Sequence, residues 1–221
     1  MSASQTFVVV GAGLAAGKAV QELRESGFDG HLVLYGAEAH LPYERPPLSK
    51  GYLMGDDTFD STLVQPPDWY DAHDVDLRLG TRVTAVDPVA RTVTAAGVTQ
   101  RYDKMLLATG ARPRHLAMAD DSGAPVAYLR TVEDSDLIRS RLRVGRRLVI
   151  VGGGWIGLEV AAAARRAGAQ VTILEALDLP LVRVLGPEVA RPSRHSTRHT
   201  ASTCGSTPRS PASKPMAEWR S

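Results

Sequence analysis

A chain of 221 residues, 43% hydrophobic and 23% charged, has the length for one or two globular domains, and its apolar runs are too short to suggest a membrane association. Its single cysteine, Cys204, excludes a disulfide framework, a Cys-x-x-Cys redox pair and a cysteine-rich metal site, so no metal is expected. From Arg191 onward there are six Lys or Arg and one Glu, whereas the preceding part has 20 basic and 23 acidic residues and no basic patch interleaved with aromatics, so nucleic acid is not an expected partner.

Val8, Val9 and Val10 predict a short buried strand, and Gly11-Ala12-Gly13-Leu14-Ala15-Ala16 predicts the turn that carries it into a helix. The strand starts so near the N-terminus that no room is left for a secretory signal, which predicts a cytoplasmic protein. Gly11 permits the tight turn, Gly13 lets backbone N–H groups approach a pyrophosphate, and Ala16 keeps the helix close to its sheet. The helix carries Ala16, Ala19, Val20 and Leu23 on one face and stops at Gly27. Further strands are expected at Val75 to Leu79, Arg82 to Val86, Arg91 to Ala95 and in a run ending at Met105 to Ala108, with Asp87-Pro88 and Gly97 as turns. Thr109-Gly110 ends this part, and after Ala111 to Pro113 the chain is expected to cross into a second domain through a helix at Glu133 to Leu142.

The same pattern then repeats. Leu148 to Val151 predicts a strand, Gly152-Gly153-Gly154-Trp155-Ile156-Gly157 a second glycine turn, and Ile156, Val160, Ala163 and Ala164 the buried face of a helix that stops at Gly168. Glu175 closes the next strand, Val171 to Leu174, where a carboxylate accepts hydrogen bonds from a ribose hydroxyl in folds of this kind. One such turn alone also arises from packing, but two in strand-turn-helix context predict a protein of two dinucleotides. FAD held tightly at one and NADH visiting the other is the arrangement by which flavin-dependent reductases receive hydride.

From Arg191 to Ser221 there is no Val, Ile, Leu, Phe or Tyr, and no amphipathic face of either period can be drawn. Such a segment buries too little apolar area to offset an ordering cost of about 1–2 kcal/mol per residue, so a disordered tail over 191–221 is expected.

With these residues in hand, the chain up to about Ala190 resembles the FAD-dependent, NAD(P)H-using ferredoxin and rubredoxin reductases, which share the pyridine nucleotide-disulfide oxidoreductase fold but have no redox disulfide. Beyond the two glycine turns, the resemblance rests on Pro42-Tyr43-Glu44-Arg45-Pro46-Pro47-Leu48-Ser49-Lys50, on Leu107-Ala108-Thr109-Gly110-Ala111-Arg112-Pro113, on Leu129-Arg130-Thr131 with Glu133-Asp134, and on Gly157-Leu158-Glu159. It implies an α/β fold of two doubly wound, Rossmann-like domains in a glutathione-reductase-like arrangement. The first segment of an FAD domain would span 1–112, an incomplete NAD(P)H domain 113–190, and the tail the rest. Family members continue with the remainder of the NAD domain, a return segment of the FAD domain and a C-terminal domain. None of these can be read after Ala190, so the tail reads as an aberrant extension of a truncated chain.

The resemblance also implies roles. Gly11, Gly13, Ala15 and Ala16 would lie at the FAD pyrophosphate, Glu38 near the adenosine ribose and Val83 beside the adenine, with Arg45, Thr109 and Gly110 among the cofactor contacts. Arg130 would approach the phosphates or the flavin. Lys50 would come near the reactive edge of the flavin and face Glu159 where nicotinamide stacks, although a solvated loop lysine and a helix-capping glutamate are the plainer readings. Gly152, Gly154, Gly157 and Glu175 would hold the pyridine nucleotide. A carboxylate at Glu175 favours NADH over NADPH, while Arg165, Arg166 and Arg183 leave NADPH open. Ala37 stands where the family often has an acid, so ribose recognition would rest on Glu38 alone. With no thiol in the body, electrons would pass from NADH to FAD and then singly to a small iron-sulfur partner, a ferredoxin or rubredoxin. The alternative is a weakly active or inactive nucleotide-binding fragment of such a reductase; a purely structural nucleotide-binding module has no positive sequence support.

Overall fold

A computed structural model of the chain describes residues 5–200 and 203–206. They divide between Asp136 and Leu137 into two compact units, each built on a parallel sheet.

In the first unit, β1 (Thr6–Val10) leads through the glycine turn into α1 (Leu14–Glu25) and on to β2 (His31–Tyr35), which pairs with β1 in parallel, Val8 opposite Val33. Short helices α2 (Gly51–Met54) and α3 (Pro67–Ala72) lie on the way to β3 (Val75–Arg78), which joins the far side of β2. Strands β4 (Val83–Asp87), β5 (Thr92–Ala95) and β6 (Val98–Arg101) form an antiparallel sheet of their own. The chain then returns as β7 (Lys104–Leu107) to the open side of β1, giving the order β3-β2-β1-β7. After β1 the chain thus builds first to one side, with β2 and β3, and later to the other, with β7, and such a switch point leaves a crevice at the C-terminal ends of the strands.

Alternation along the strands builds two core layers. Val9, Leu32 and Leu34 face Ala16 and Val20 of α1 together with Tyr70 and Val75, while Val8, Val10, Val33 and Tyr35 face Val93 and Ala95 of β5. Both faces are covered, so the strands read as unbroken apolar runs, and each buried Val or Leu contributes about 1.5–3 kcal/mol. At the other end of the sheet Arg24 gathers four backbone carbonyls: its Nε donates to His73, its Nη1 to Phe28 and Gly30, and its Nη2 to Asp74. The last turn of α1 is thereby fastened to the starts of β2 and β3.

After α4 (Ala117–Asp120), α5 (Val132–Arg141) opens with a reciprocal cap: Thr131 Oγ1 accepts from the Asp134 N–H, and Asp134 Oδ2 accepts from the Thr131 N–H. The buried Ser135 hydroxyl donates to the Leu48 carbonyl at 2.8 Å, and Tyr52 donates to Asp136 at 2.9 Å. The segment up to Asp136, expected beyond the boundary at residue 112, therefore packs in the first unit.

The second unit contains β8 (Arg147–Val151), α6 (Trp155–Arg166), β9 (Gln170–Glu175), α7 (Val182–Thr200) and β10 (Thr203–Ser206), with the parallel order β10-β9-β8. Its core joins Ala161 and Ala164 of α6 to Ala169, Val171 and Ile173. Val160, Ala163 and Ala164 are buried as expected, but Ile156 is 54% exposed, because in the first turn of α6 it is Leu158 that packs on the core with Ala161 and Ala164. Gly27 and Gly168 stop their helices at φ of +83° and +79°. The expectation of disorder over 191–221 falls largely outside the described residues. Within them the backbone is helical to Thr200, with a non-helical Gly186, and 203–206 pair with β9. Main-chain bonds to an open sheet edge need no apolar side chain, which is why composition did not announce them. The structure is of the expected α/β class, with a strand-turn-helix-strand of the Rossmann type in each unit.

Candidate functional site

The first glycine turn is built around a close approach. Gly11 has φ +115°, its N–H donates to Tyr35 O at 2.8 Å, and a Cβ there would lie 2.1 Å from Ala108 O and 3.0 Å from Thr109 N. Only glycine fits. Gly13 is different: it is the N-cap of α1 with ordinary φ, no described side chain caps it, and nothing lies within 4 Å of the position a Cβ would take. The first turn of α1 thus starts beside open space, with Ala15 exposed and Ala16 buried. The first N–H groups of a helix have no partner within it, and with the positive end of the helix dipole they suit a phosphate, for which a glycine here leaves the approach open.

A set of side chains borders this cradle. Tyr43 pairs with Gly13 through a parallel bridge, and its buried hydroxyl donates to Glu38 Oε2 at 2.6 Å while accepting from Arg45 Nη1 at 2.6 Å and from the Val132 N–H at 3.3 Å. Arg45 Nη2 bonds Glu38 Oε1 at 2.6 Å, and Nη1 reaches the Arg130 carbonyl at 2.8 Å. Its guanidinium lies 4.6 Å from the Tyr43 ring centre. Arg130 Nη2 lies 3.3 Å from where a Cβ on Gly110 would be, two residues beyond Ala108. The sequence-predicted Gly11, Gly13, Glu38, Arg45, Thr109, Gly110 and Arg130 are therefore linked at one end of one sheet. Burial raises the Glu38 pKa, but hydrogen bonds from Arg45 and Tyr43 outweigh it and hold the carboxyl below its ordinary range. Burial, with Glu38 as acceptor, pushes the Tyr43 phenol well above its ordinary value. At neutral pH the phenol stays a donor and the carboxylate an anion.

Val83 lies on β4, half-buried against the layer of Val8, Val10, Val33 and Tyr35. Lys50 is exposed at the end of the proline-rich segment, with its Nζ 3.5 Å from Pro46 O. Arg45, expected as a cofactor contact, donates to Glu38, Tyr43 and the Arg130 carbonyl.

In the second unit Gly152 (φ +108°) donates to Leu174 O at 2.8 Å, and Gly154 caps α6 with nothing within 4 Å of its missing Cβ. A Cβ on Gly157 would lie 2.1 Å from Gly152 O, so this glycine brings the helix against its turn. Glu175, expected to face a ribose, is turned onto the turn itself: Oε2 accepts from the Gly153 N–H at 2.7 Å and Oε1 from the Leu177 N–H at 3.0 Å. A carboxylate keeps further lone pairs for a hydroxyl, so the brace and a ligand are compatible. Glu159 is half-buried in α6.

Tyr43 and Gly17 carry structural roles that their place in the sequence does not announce. A Cβ on Gly17 would lie 2.9 Å from Pro42 Cβ, so a third glycine seats the proline-rich loop on α1. Helical glycine at a buried position was the available signal.

Residues 5–200 match the pyridine nucleotide-disulphide oxidoreductase family. The chain is 45% identical over 190 residues to the anthranilate 1,2-dioxygenase system ferredoxin–NAD(+) reductase component of Burkholderia cepacia, covering 86% of this chain and 47% of that protein. It is 41% identical over 202 residues to putidaredoxin reductase CamA of Pseudomonas putida, covering 90% and 48%. Among solved structures, the covalent putidaredoxin reductase–putidaredoxin complex matches with a TM-score of 0.86 at 40% identity, over 90% of this chain and 49% of that one. The chain spans about half the length of the curated relatives it matches.

Proposed function

This chain belongs to the pyridine nucleotide-disulphide oxidoreductase family, and on that premise we propose that it serves a flavoprotein reductase that takes hydride from NADH and delivers single electrons to a small iron-sulfur protein. FAD, when bound, would supply the step between two-electron donor and one-electron acceptor. The observation that carries this is the open cradle at Gly13, bordered by Tyr43, Glu38, Arg45 and Arg130. Gly11, Gly13, Ala15, Ala16, Thr109, Gly110 and Arg130 would hold the diphosphate side, Glu38 the adenosine ribose and Val83 the adenine. Lys50 would offer its ammonium to the negative charge gained on reduction. Glu159 is the proposed carboxylate at the nicotinamide.

The second turn, with Gly152, Gly154 and Gly157, would hold the pyridine nucleotide, and a carboxylate at Glu175 opposes a 2′-phosphate, which supports NADH. A ferredoxin or rubredoxin as acceptor is supported by the relatives' names, which pair them with ferredoxin and putidaredoxin. The first unit, made of the segment 1–112 and the stretch to Asp136 that packs on it, is proposed as the FAD part and the second unit as the NAD(P)H part, and a cytoplasmic location belongs to the same reading. No helix among the described residues is long and apolar enough to cross a membrane.

The test is to purify the chain with added FAD, remove free flavin and follow the visible absorption as NADH is added without oxygen. The reading requires a yellow protein that NADH bleaches; a colourless protein, or a colour indifferent to NADH, refutes it for this chain. A second reading, a weakly active or inactive nucleotide-binding half, is supported by open apolar edges. Leu107 on β7 is 58% exposed and Val151 on β8 is 62% exposed, alongside Leu106 and Val149. It predicts a protein that stays folded but returns colourless.

A further inference from the structure

Tyr43 joins Gly13, Glu38 and Arg45 at the cradle border. Its backbone bridges Gly13 at the mouth of α1, and its ring is buried to 1% exposure among Leu48, Tyr52 and Val132 with Phe59 packed against it. Its one polar atom has three hydrogen-bonding partners: Glu38, Arg45 and the Val132 N–H. Glu38 stands three residues past the end of β2, where doubly wound folds place the acid that receives a ribose. A carboxylate on a loop points where its partners hold it: Glu38 Oε1 is held by Arg45 Nη2 at 2.6 Å, and Oε2 by the Tyr43 hydroxyl at 2.6 Å with Arg45 Nη1 farther off at 3.4 Å.

We infer that Tyr43 is a positioning residue for dinucleotide binding: its hydroxyl aims the Glu38 carboxylate at the adenosine ribose and, by orienting Arg45, fixes the Arg130 carbonyl beside it. The inference rests on the dinucleotide reading above. Phenylalanine at this position keeps the buried ring and the backbone bridge but gives up the hydroxyl alone. Glu38 Oε2 then loses its one short bond and keeps only the long 3.4 Å contact to Arg45 Nη1, so the carboxylate is free to turn about Oε1, and a misaimed carboxylate gives a ribose hydroxyl a poorer acceptor. Arg45→Lys removes the second support differently, since a single ammonium cannot span Glu38 and the Arg130 carbonyl as the planar guanidinium does.

The experiment titrates the apoprotein with FAD and with an FAD analogue lacking both adenosine ribose hydroxyls, by quenching of flavin fluorescence. Wild type is expected to bind the analogue about tenfold more weakly than FAD, the equivalent of about 1.4 kcal/mol. Tyr43→Phe is expected to bind FAD about tenfold more weakly than wild type and to discriminate against the analogue by less than about twofold. Arg45→Lys should show the same lost discrimination, and Tyr43→Phe added to Glu38→Gln should cost little further. Equal discrimination by wild type and Tyr43→Phe overturns the inference, because the hydroxyl then acts on the fold alone. Additive losses in the double variant overturn it as well. A wild type that binds FAD without regard to the ribose hydroxyls removes the Glu38 role and the inference with it, whereas a wild type that binds no FAD refutes the dinucleotide reading itself. Circular dichroism melts accompany each variant, and loss of FAD binding by an unfolded Tyr43→Phe leaves the decision to Arg45→Lys.

Discussion

Gly11→Ala and Gly13→Ala, two residues apart in one turn, should fail in opposite ways. At Gly11 a methyl group would lie 2.1 Å from Ala108 O and 2.5 Å from its carbon, and the φ of +115° is one that L side chains rarely adopt. The backbone conformation costs about 1–3 kcal/mol and the overlap, relieved only by moving β7 away from β1, about 1–3 more. Against a total of about 5–15 kcal/mol this is a large fraction, and at about 2–4 °C per kcal/mol the melting midpoint should fall by roughly 5–20 °C. At Gly13 the φ of −93° suits alanine and the space is open, so stability should change by no more than about 1 kcal/mol. The methyl group would instead stand in front of the N–H groups of α1, and losing one charge-assisted hydrogen bond of about 1.5–3 kcal/mol should weaken FAD binding about tenfold to a hundredfold. Urea unfolding of the apoprotein and FAD titration of each variant separate the two. Equal destabilisation by both substitutions, or a Gly11→Ala protein as stable as wild type, would refute the reasoning.

Other expectations concern single side chains. Lys50→Ala and Glu159→Ala should slow reduction of bound flavin by NADH in stopped flow with little change in melting, and unchanged rates would remove both from the proposed site. Tyr70 has a buried hydroxyl with no hydrogen-bond partner among the described residues, and burial pushes its pKa up to about 12. Tyr70→Phe should therefore be neutral or stabilising, by up to about 1–3 kcal/mol in urea unfolding, and a destabilised variant would reveal a partner for the hydroxyl. Because Glu38 has a folded pKa below its ordinary value, its contribution to stability is present above the ordinary carboxylate pKa of about 4.3 and disappears as pH falls through the folded value. The gap between the melting midpoints of wild type and Glu38→Gln should narrow from pH 7 to pH 3; a constant gap would show that the ionised form is not what the site holds.

The glycine turns, their flanking strands and the stops at Gly27 and Gly168 were readable because each rests on local backbone geometry and local periodicity. Strand β2 was harder: Leu32 to Tyr35 is a continuous apolar run without alternation, and only its place after a glycine turn and helix marks it as a strand. Strand β6 follows Gly97 so closely that it reads as the tail of a turn. Orientation was less legible than position. Glu175 occupies its expected place, yet its carboxylate bonds Gly153, 22 residues earlier, and Arg45 reaches the Arg130 carbonyl across 85 residues. Spacing along a chain locates such groups without revealing what they grasp, since that choice belongs to the packed state. The same holds for Ile156, whose apolar character is independent of what stands opposite it.

Arg24 ties its knot at the rim where β2 and β3 begin, while the glycine turn and the Tyr43 hydroxyl occupy the rim where the strands finish. Stitching and recognition are thus kept on opposite hems of one fabric. Loops on the recognition hem are free to drift toward another cofactor or another specificity while the seam at Arg24 keeps the layers aligned, and the first unit can change its guest without reopening its own folding problem.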